Sequence, residues 1–244
     1  MSTTGTTTQT QTSAFGPSKA SPRDVWEKRI SELVDQSHNK HTSSYDAEFG
    51  PFTINIHPTV YSPKYFPETW WYARNIPPIV NGGSFLEVGV GSGLNTVAVA
   101  ASGSTVWGVD INPHAVATTR KNLEANGLAG TVVVSDLFAQ VEGRFDVIFW
   151  NHPWQYDSAV PSQLQSEKTL DAEYKLLRRF IGEAKGYLTD RGVVLLGTSA
   201  YANREAIYQI AEKSGFAHKE LIRGQEPIGE GVVEEYYILE LKKC

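Results

Sequence analysis

The run Ser84-Phe85-Leu86-Glu87-Val88-Gly89-Val90-Gly91-Ser92-Gly93 passes from apolar residues into three glycines at alternate positions. It reads as a buried strand over 84–90 that stops in a tight turn. An Ala/Val-rich helix over 94–101 follows. Further on, a strand over 105–109 is closed by Asp110. Asn112 can cap a helix with Pro113 in its first turn, and Asn126-Gly127 can end it. A strand over 131–134 is closed by Asp136, and one over 145–150 by Asn151. A long amphipathic helix is expected over 170–188, then a strand over 192–197 and a helix over 202–213 stopped by Gly215. Strands over 216–222 and 232–241 follow, joined by a glycine-rich turn. Val/Ile/Leu-rich strands separated by helices imply a parallel sheet covered on both faces. Two last strands with no helix between them imply a hairpin, with the last strand antiparallel to the rest.

Upstream of this core the pattern is weaker. Residues 1–22 hold eleven Ser or Thr and no Asp or Glu, and read as a disordered tail. No apolar stretch there resembles a secretory signal. Ser21 suits an N-cap and Pro22 a first helical turn, with a helix running to about residue 36. Residues 38–47 read as loop, and 52–61 as short strands interrupted by Pro58. Pro67 and Glu68 suit a helix start, continuing to Asn75. The expected organisation is a tail over 1–22, an N-terminal helix and substrate or lid segment over 23–83, and a core over 84–244.

Composition narrows the function. There are 22 Lys and Arg against 27 Asp and Glu, a formal charge of −5. That disfavours a protein built mainly to grip nucleic-acid backbone. The one cysteine, Cys244, allows neither an internal disulfide nor a cysteine zinc site, and points to a reducing, cytoplasmic setting. No run approaches the ~18 apolar residues of a membrane span. The six histidines lack the paired spacing of metal ligands, so no metal is expected.

The glycine turn fits neither register of the dinucleotide fingerprint, because Leu94 and Thr96 stand where a third glycine belongs. No Gly-Lys-Ser/Thr follows, which excludes a P-loop. Acids at successive strand ends do fit a nucleoside. Asp110, 21 residues after Gly89, can accept both hydroxyls of a ribose, and Asp136 can reach an adenine amino group. With these residues the chain resembles class I S-adenosylmethionine-dependent methyltransferases. The resemblance covers 84–241 and implies a Rossmann-like α/β fold, with a seven-stranded, mostly parallel sheet and a C-terminal antiparallel hairpin. It implies S-adenosyl-L-methionine as cofactor, held by Glu87, Gly89, Gly91, Gly93, Asp110, Ile111, Asp136, Leu137 and Asn151.

Asn151-His152-Pro153-Trp154 ends the fourth core strand. It resembles the Asn-Pro-Pro-aromatic motif of HemK-type glutamine-amide and adenine-amino methyltransferases, with His152 in place of the first proline. The chemistry explains those residue types. An amide or exocyclic amine has its lone pair delocalised, and an Asn oxygen with a nearby carbonyl can accept both N–H bonds and redirect it. Pro153 fixes the backbone, and Trp154 can stack on a planar group. His152 is either a packed rim residue or a base. Pro67-Glu68-Thr69 matches part of the Pro-Arg-Pro-Glu-Thr segment of the HemK type, and Tyr65 and Thr69 are the expected substrate contacts with Trp154. The implied reaction is methyl transfer to an amino or amide nitrogen of a small molecule or peptide. The alternatives are a nucleic-acid adenine-amino enzyme, or a small-molecule O- or C-methyltransferase using His152.

Overall fold

The computed structural model describes residues 20–166 and 168–244. The expected tail therefore lies outside the described residues up to residue 19, while Pro22 already belongs to helix α1 (Pro22–Lys40). The Ser21 hydroxyl accepts the Asp24 N–H, and the Ser21 N–H donates back to the Asp24 carboxylate, a reciprocal cap. A hairpin follows, β1 (Tyr45–Phe49) and β2 (Phe52–Ile56), where only loop was expected for its first half. Tyr45, Ala47 and Phe49 face Ile56, Ile54 and Phe52 across it, an alternation hidden among polar neighbours. The short helices α2 (Glu68–Asn75) and α3 (Pro77–Val80) lead into the core.

The core alternates as expected through β3 (Ser84–Val88), α4 (Leu94–Ala101), β4 (Thr105–Asp110), α5 (Pro113–Ala125), β5 (Thr131–Val134) and β6 (Phe145–Asn151). It continues with α6 (Lys175–Ala184), β7 (Leu188–Ser199), α7 (Arg204–Lys213), β8 (Phe216–Gly229) and β9 (Val232–Lys243). The sheet order is β5-β4-β3-β6-β7-β9-β8. β9 slots antiparallel between β7 and β8, and the remaining pairs are parallel. The Rossmann-like seven-stranded fold is therefore present, with a hairpin much longer than its sequence signal.

Period-two alternation sorts the strand side chains between two layers. Phe85, Val147, Phe149 and Leu195 face α4, α5 and the N-terminal segment. Leu86, Ile148, Trp150 and Leu196 face α6 and α7. Fully burying such side chains contributes ~1.5–3 kcal/mol each. β3 turns one way to β4, whereas β6 lies on its other side. The chain order thus reverses between β3 and β6, where open α/β sheets place their ligands.

The helix expected over 170–188 is shorter. Leu170 bridges to Gln155 instead, and Glu173 and Tyr174 have positive φ. The Asp171 carboxylate accepts the N–H groups of Leu176 and Leu177 and so caps α6 from outside. The apolar periodicity ran through this break, because the side-chain cap leaves no trace in it.

Candidate active site

A cavity of about 1130 Å³ opens at the carboxyl ends of β3, β4 and β6. One wall is the glycine turn, where Gly89, Gly91 and Gly93 all have φ above +50°. At Gly93 the need for glycine is doubled, because a Cβ would stand 2.6 Å from Thr119. Gly93 begins α4 and does not line the cavity, whereas Gly89 and Gly91 do.

Glu87 points from β3 toward α4, where Asn95 and Thr96 donate to its two oxygens. Burial pushes its carboxyl up to about 7 against the pull of those two bonds. Asp110 ties the turn to the end of β4: it accepts the Gly91 N–H at 3.0 Å and the Asn112 N–H at 2.9 Å. Burial raises this carboxyl too. Beyond it Ile111 is 67% exposed, an apolar surface on the cavity wall. Asp136 and Leu137 line the next stretch, with Asp136 paired to Arg179 at 3.2 Å.

The four residues after β6 line the opposite side. Trp154 Nε1 donates to Asn151 Oδ1 at 3.0 Å. An indole N–H is only a donor, so this bond fixes which end of the Asn151 amide faces it. His152 is buried, its Nε2 3.4 Å from Thr198 Oγ1 and its Nδ1 without a partner. Burial holds its imidazole down at about 3. It is therefore neutral at physiological pH and too weakly basic to work as a base there. Packing beside Trp150 and Tyr174 is what the structure shows for it. Thr69 reaches the cavity, but Tyr65 does not: its hydroxyl meets His41 Nε2 at 2.8 Å outside it.

The cavity also takes in residues that no motif placed there, Trp26 and Ile30 of α1 and Lys168. Glu68 of the Pro67-Glu68-Thr69 segment and Tyr61, one of the aromatics ahead of the core, line it too. They come from separate segments, and no spacing in the sequence links them. Among the described residues no group of three or more metal-ligating side chains is present.

Residues 52–219 match the family described as Methyltransferase small domain. The chain belongs to that family. It is an S-adenosylmethionine-dependent methyltransferase. A Methanocaldococcus jannaschii protein with the provisional name protein N5-glutamine methyltransferase is 33% identical over 181 residues, 72% of this chain and 83% of its own. The ribosomal RNA small subunit methyltransferase C of Alcanivorax borkumensis is 34% identical over 136 residues, 56% of this chain. This methyltransferase matches only 37% of the length of that RNA enzyme. Among solved structures, a methyltransferase from Pyrococcus furiosus superimposes with a TM-score of 0.59 at 19% identity, over 90% of this chain and 99% of its own. A T. thermophilus 16S rRNA methyltransferase solved with AdoMet and guanosine superimposes with a TM-score of 0.57 at 21% identity, over 82% of this chain and 50% of its own. The expectation that nucleic acid is disfavoured as a substrate finds no support in these relatives.

The methyltransferase's residues suit its cofactor. A Cβ at Gly91 would meet nothing within 4 Å, so backbone there is open to close approach by a ligand. Asn95 lines the same wall, and its Oδ1 is buried without a donor. An ammonium group answers such an acceptor beside a carboxylate.

Proposed function

We propose that this methyltransferase acts on a nitrogen conjugated to a π-system, an amide or amino nitrogen of a peptide or small molecule. The observation that carries the reading is Asn151 on the cavity wall, its amide oxygen oriented by Trp154. In this reading Glu87, Asn95 and the glycine turn hold the methionine end of the cofactor. Asp110 takes the ribose, and Ile111, Asp136 and Leu137 border the adenine. When bound, S-adenosylmethionine supplies a methyl group activated by its sulfonium.

The chain's own contribution is alignment. Asn151 Oδ1 has two lone pairs, and Trp154 occupies one. The other can accept an N–H of the acceptor, and the His152 backbone carbonyl can take the second. Together they turn the nitrogen lone pair out of conjugation. Pro153 restricts the backbone that carries the carbonyl. Positioning of this kind is worth up to ~7–11 kcal/mol in favourable cases. The neutral His152 removes the support for a histidine-assisted O- or C-methylation.

A peptide or small-molecule acceptor is favoured by the extent of the similarity within this chain: the relative named for glutamine methylation matches 72% of it, the RNA-acting relative 56%. The RNA relatives keep a second reading open, an exocyclic base nitrogen. It predicts RNA affinity that falls steeply with salt, and flat or absent binding ends it. The lone cysteine, Cys244, exposed at the last residue, supports a reducing cytoplasmic setting.

Three titrations and one turnover assay test the proposal. S-adenosylhomocysteine is expected to bind the wild type and to bind Asp110→Ala much more weakly. Asn151→Ala is expected to keep that binding but lose roughly 100-fold or more in methyl transfer to a glutamine peptide, within the range seen when an aligned polar contact is removed. If Asn151→Ala abolishes cofactor binding instead, the acceptor side has been misplaced.

A further inference from the structure

Glu68, the first residue of α2, lines the cavity yet is only 1% exposed; the Tyr61 hydroxyl lies near its carboxylate, but neither oxygen has a donor in good hydrogen-bond geometry. A charged residue at the start of a helix normally faces water, and buried polar atoms are normally paired. A second buried carboxylate, Glu234 on β9, is close enough to repel it. Trp26 Nε1 and the Tyr236 hydroxyl donate to Glu234. Among the described residues no lysine, arginine or histidine comes within ion-pair distance of either acid. Two buried carboxylates without a counter-charge are costly for a fold to keep. The surrounding walls are aromatic: Trp26, Tyr61 and Trp154 all line the cavity, with Tyr201 stacked on Trp26 at 4.4 Å.

Acids buried among ring faces, with a carboxylate short of donors, match a cation rich in N–H groups. Ring faces attract cations, and a guanidinium can donate to both oxygens at once. We propose that Glu68 is the acceptor-recognition residue of this cavity and binds a guanidinium group carried by the acceptor molecule, either a free small molecule or a peptide side chain. The proposal rests on the reading of the cavity as the methyl-transfer site and adds to it what the acceptor must carry. Glu234 lies behind Glu68 and adds negative charge when a bound cation displaces the protons that burial retains on the two acids, and Trp26 donates to Glu234 while lining the cavity.

The test is calorimetric titration of the full chain saturated with S-adenosylhomocysteine. The probes are agmatine, the peptide acetyl-Gly-Arg-Gly-amide, its citrulline counterpart, and guanosine. At least one guanidinium probe is expected to bind saturably, and the citrulline peptide at least about tenfold more weakly than the arginine peptide, a difference of ~1.4 kcal/mol. Preference for agmatine identifies a small-molecule source, and preference for the arginine peptide a protein source. Glu68→Gln is expected to weaken the guanidinium probe by about tenfold or more while leaving S-adenosylhomocysteine affinity in place. The arginine-to-citrulline comparison is made on the wild type and so does not depend on the variant folding. The proposal falls if neither guanidinium probe binds, if citrulline binds as well as arginine, or if only guanosine binds in a Glu68-dependent way. Absence of S-adenosylhomocysteine binding is read out first, and would strike the cofactor site itself rather than Glu68 alone.

Discussion

Glu87 sits between two demands. In the proposed cofactor site its carboxylate must be ionised to hold a cationic ammonium, yet burial raises it to about 7, so near neutrality it carries a proton part of the time. Binding a cation beside it therefore expels that proton. The sign follows: S-adenosylhomocysteine affinity rises with pH up to about 7 and levels off above it, because below that value binding must first deprotonate the acid. Calorimetry from pH 6 to 8 in buffers of different ionisation enthalpy is expected to show proton release in the wild type and little in Glu87→Gln. A pH-independent affinity with no release would remove Glu87 from the ammonium site. The glycine turn and its acids were legible residue by residue, since each answers a local need at a strand end. Trp154 was read for its ring, but its N–H, bonded to Asn151, matters at least as much. That bond depends on a fold-back of three residues that no pattern announces.

Elements were legible where both ends carry punctuation. α4 lies between Gly93 and a Ser-Gly turn, and α5 between Asn112-Pro113 and Asn126-Gly127, and both match their expected bounds closely. The helix expected over 170–188 failed because tertiary contact decides its start. The buried Tyr174 hydroxyl donates to the Trp154 carbonyl and accepts the Asn203 N–H, and holds the chain in a left-handed turn. Two asparagines at the end of α5 fasten the hairpin β1–β2: Asn126 donates to the Thr53 carbonyl at 3.0 Å, and Asn122 makes the larger share of the bonds. Asn122 of α5 accepts the Asn55 N–H and donates to the carbonyls of Asn55 and Ser92, each at 2.8 Å. It joins the hairpin to the glycine turn. Asn122→Ala leaves these buried backbone groups unpaired, at a cost of roughly 1–3 kcal/mol each. The denaturation midpoint is expected to fall, and S-adenosylhomocysteine affinity with it, since Ser92 lines the cavity beside the proposed cofactor site. Lost stability with unchanged affinity would show that the clamp serves the hairpin alone.

At the scale of the whole molecule, buried acids set how stability follows pH. Glu68, Glu87 and Glu234 all titrate above the ordinary carboxylate value of 4.5, Glu87 and Glu234 at about 7. In the unfolded chain they lose their protons near 4.5, whereas in the folded chain burial keeps them on Glu87 and Glu234 up to about 7 and holds the Glu68 proton above its ordinary range as well. Across that window the folded state binds more protons, so each acid makes stability fall as pH rises, by at most about 1.4 kcal/mol per pH unit. His152 acts in the opposite direction. It stays neutral in the folded chain down to about 3, whereas the unfolded imidazole protonates below 6.5, so it makes stability rise with pH up to that point. The half-buried His41 and His57, both lowered, add weakly to that rise. Three deeply buried acids outweigh one buried base. The urea midpoint of the cofactor-free enzyme is therefore expected to decline between about pH 5 and pH 7, and the Glu87→Gln/Glu234→Gln variant is expected to flatten or reverse the decline. A wild-type midpoint that climbs through this range would mean that the acids are ionised in the folded chain. Their burial would then have to be relieved by a counter-charge supplied from within the protein.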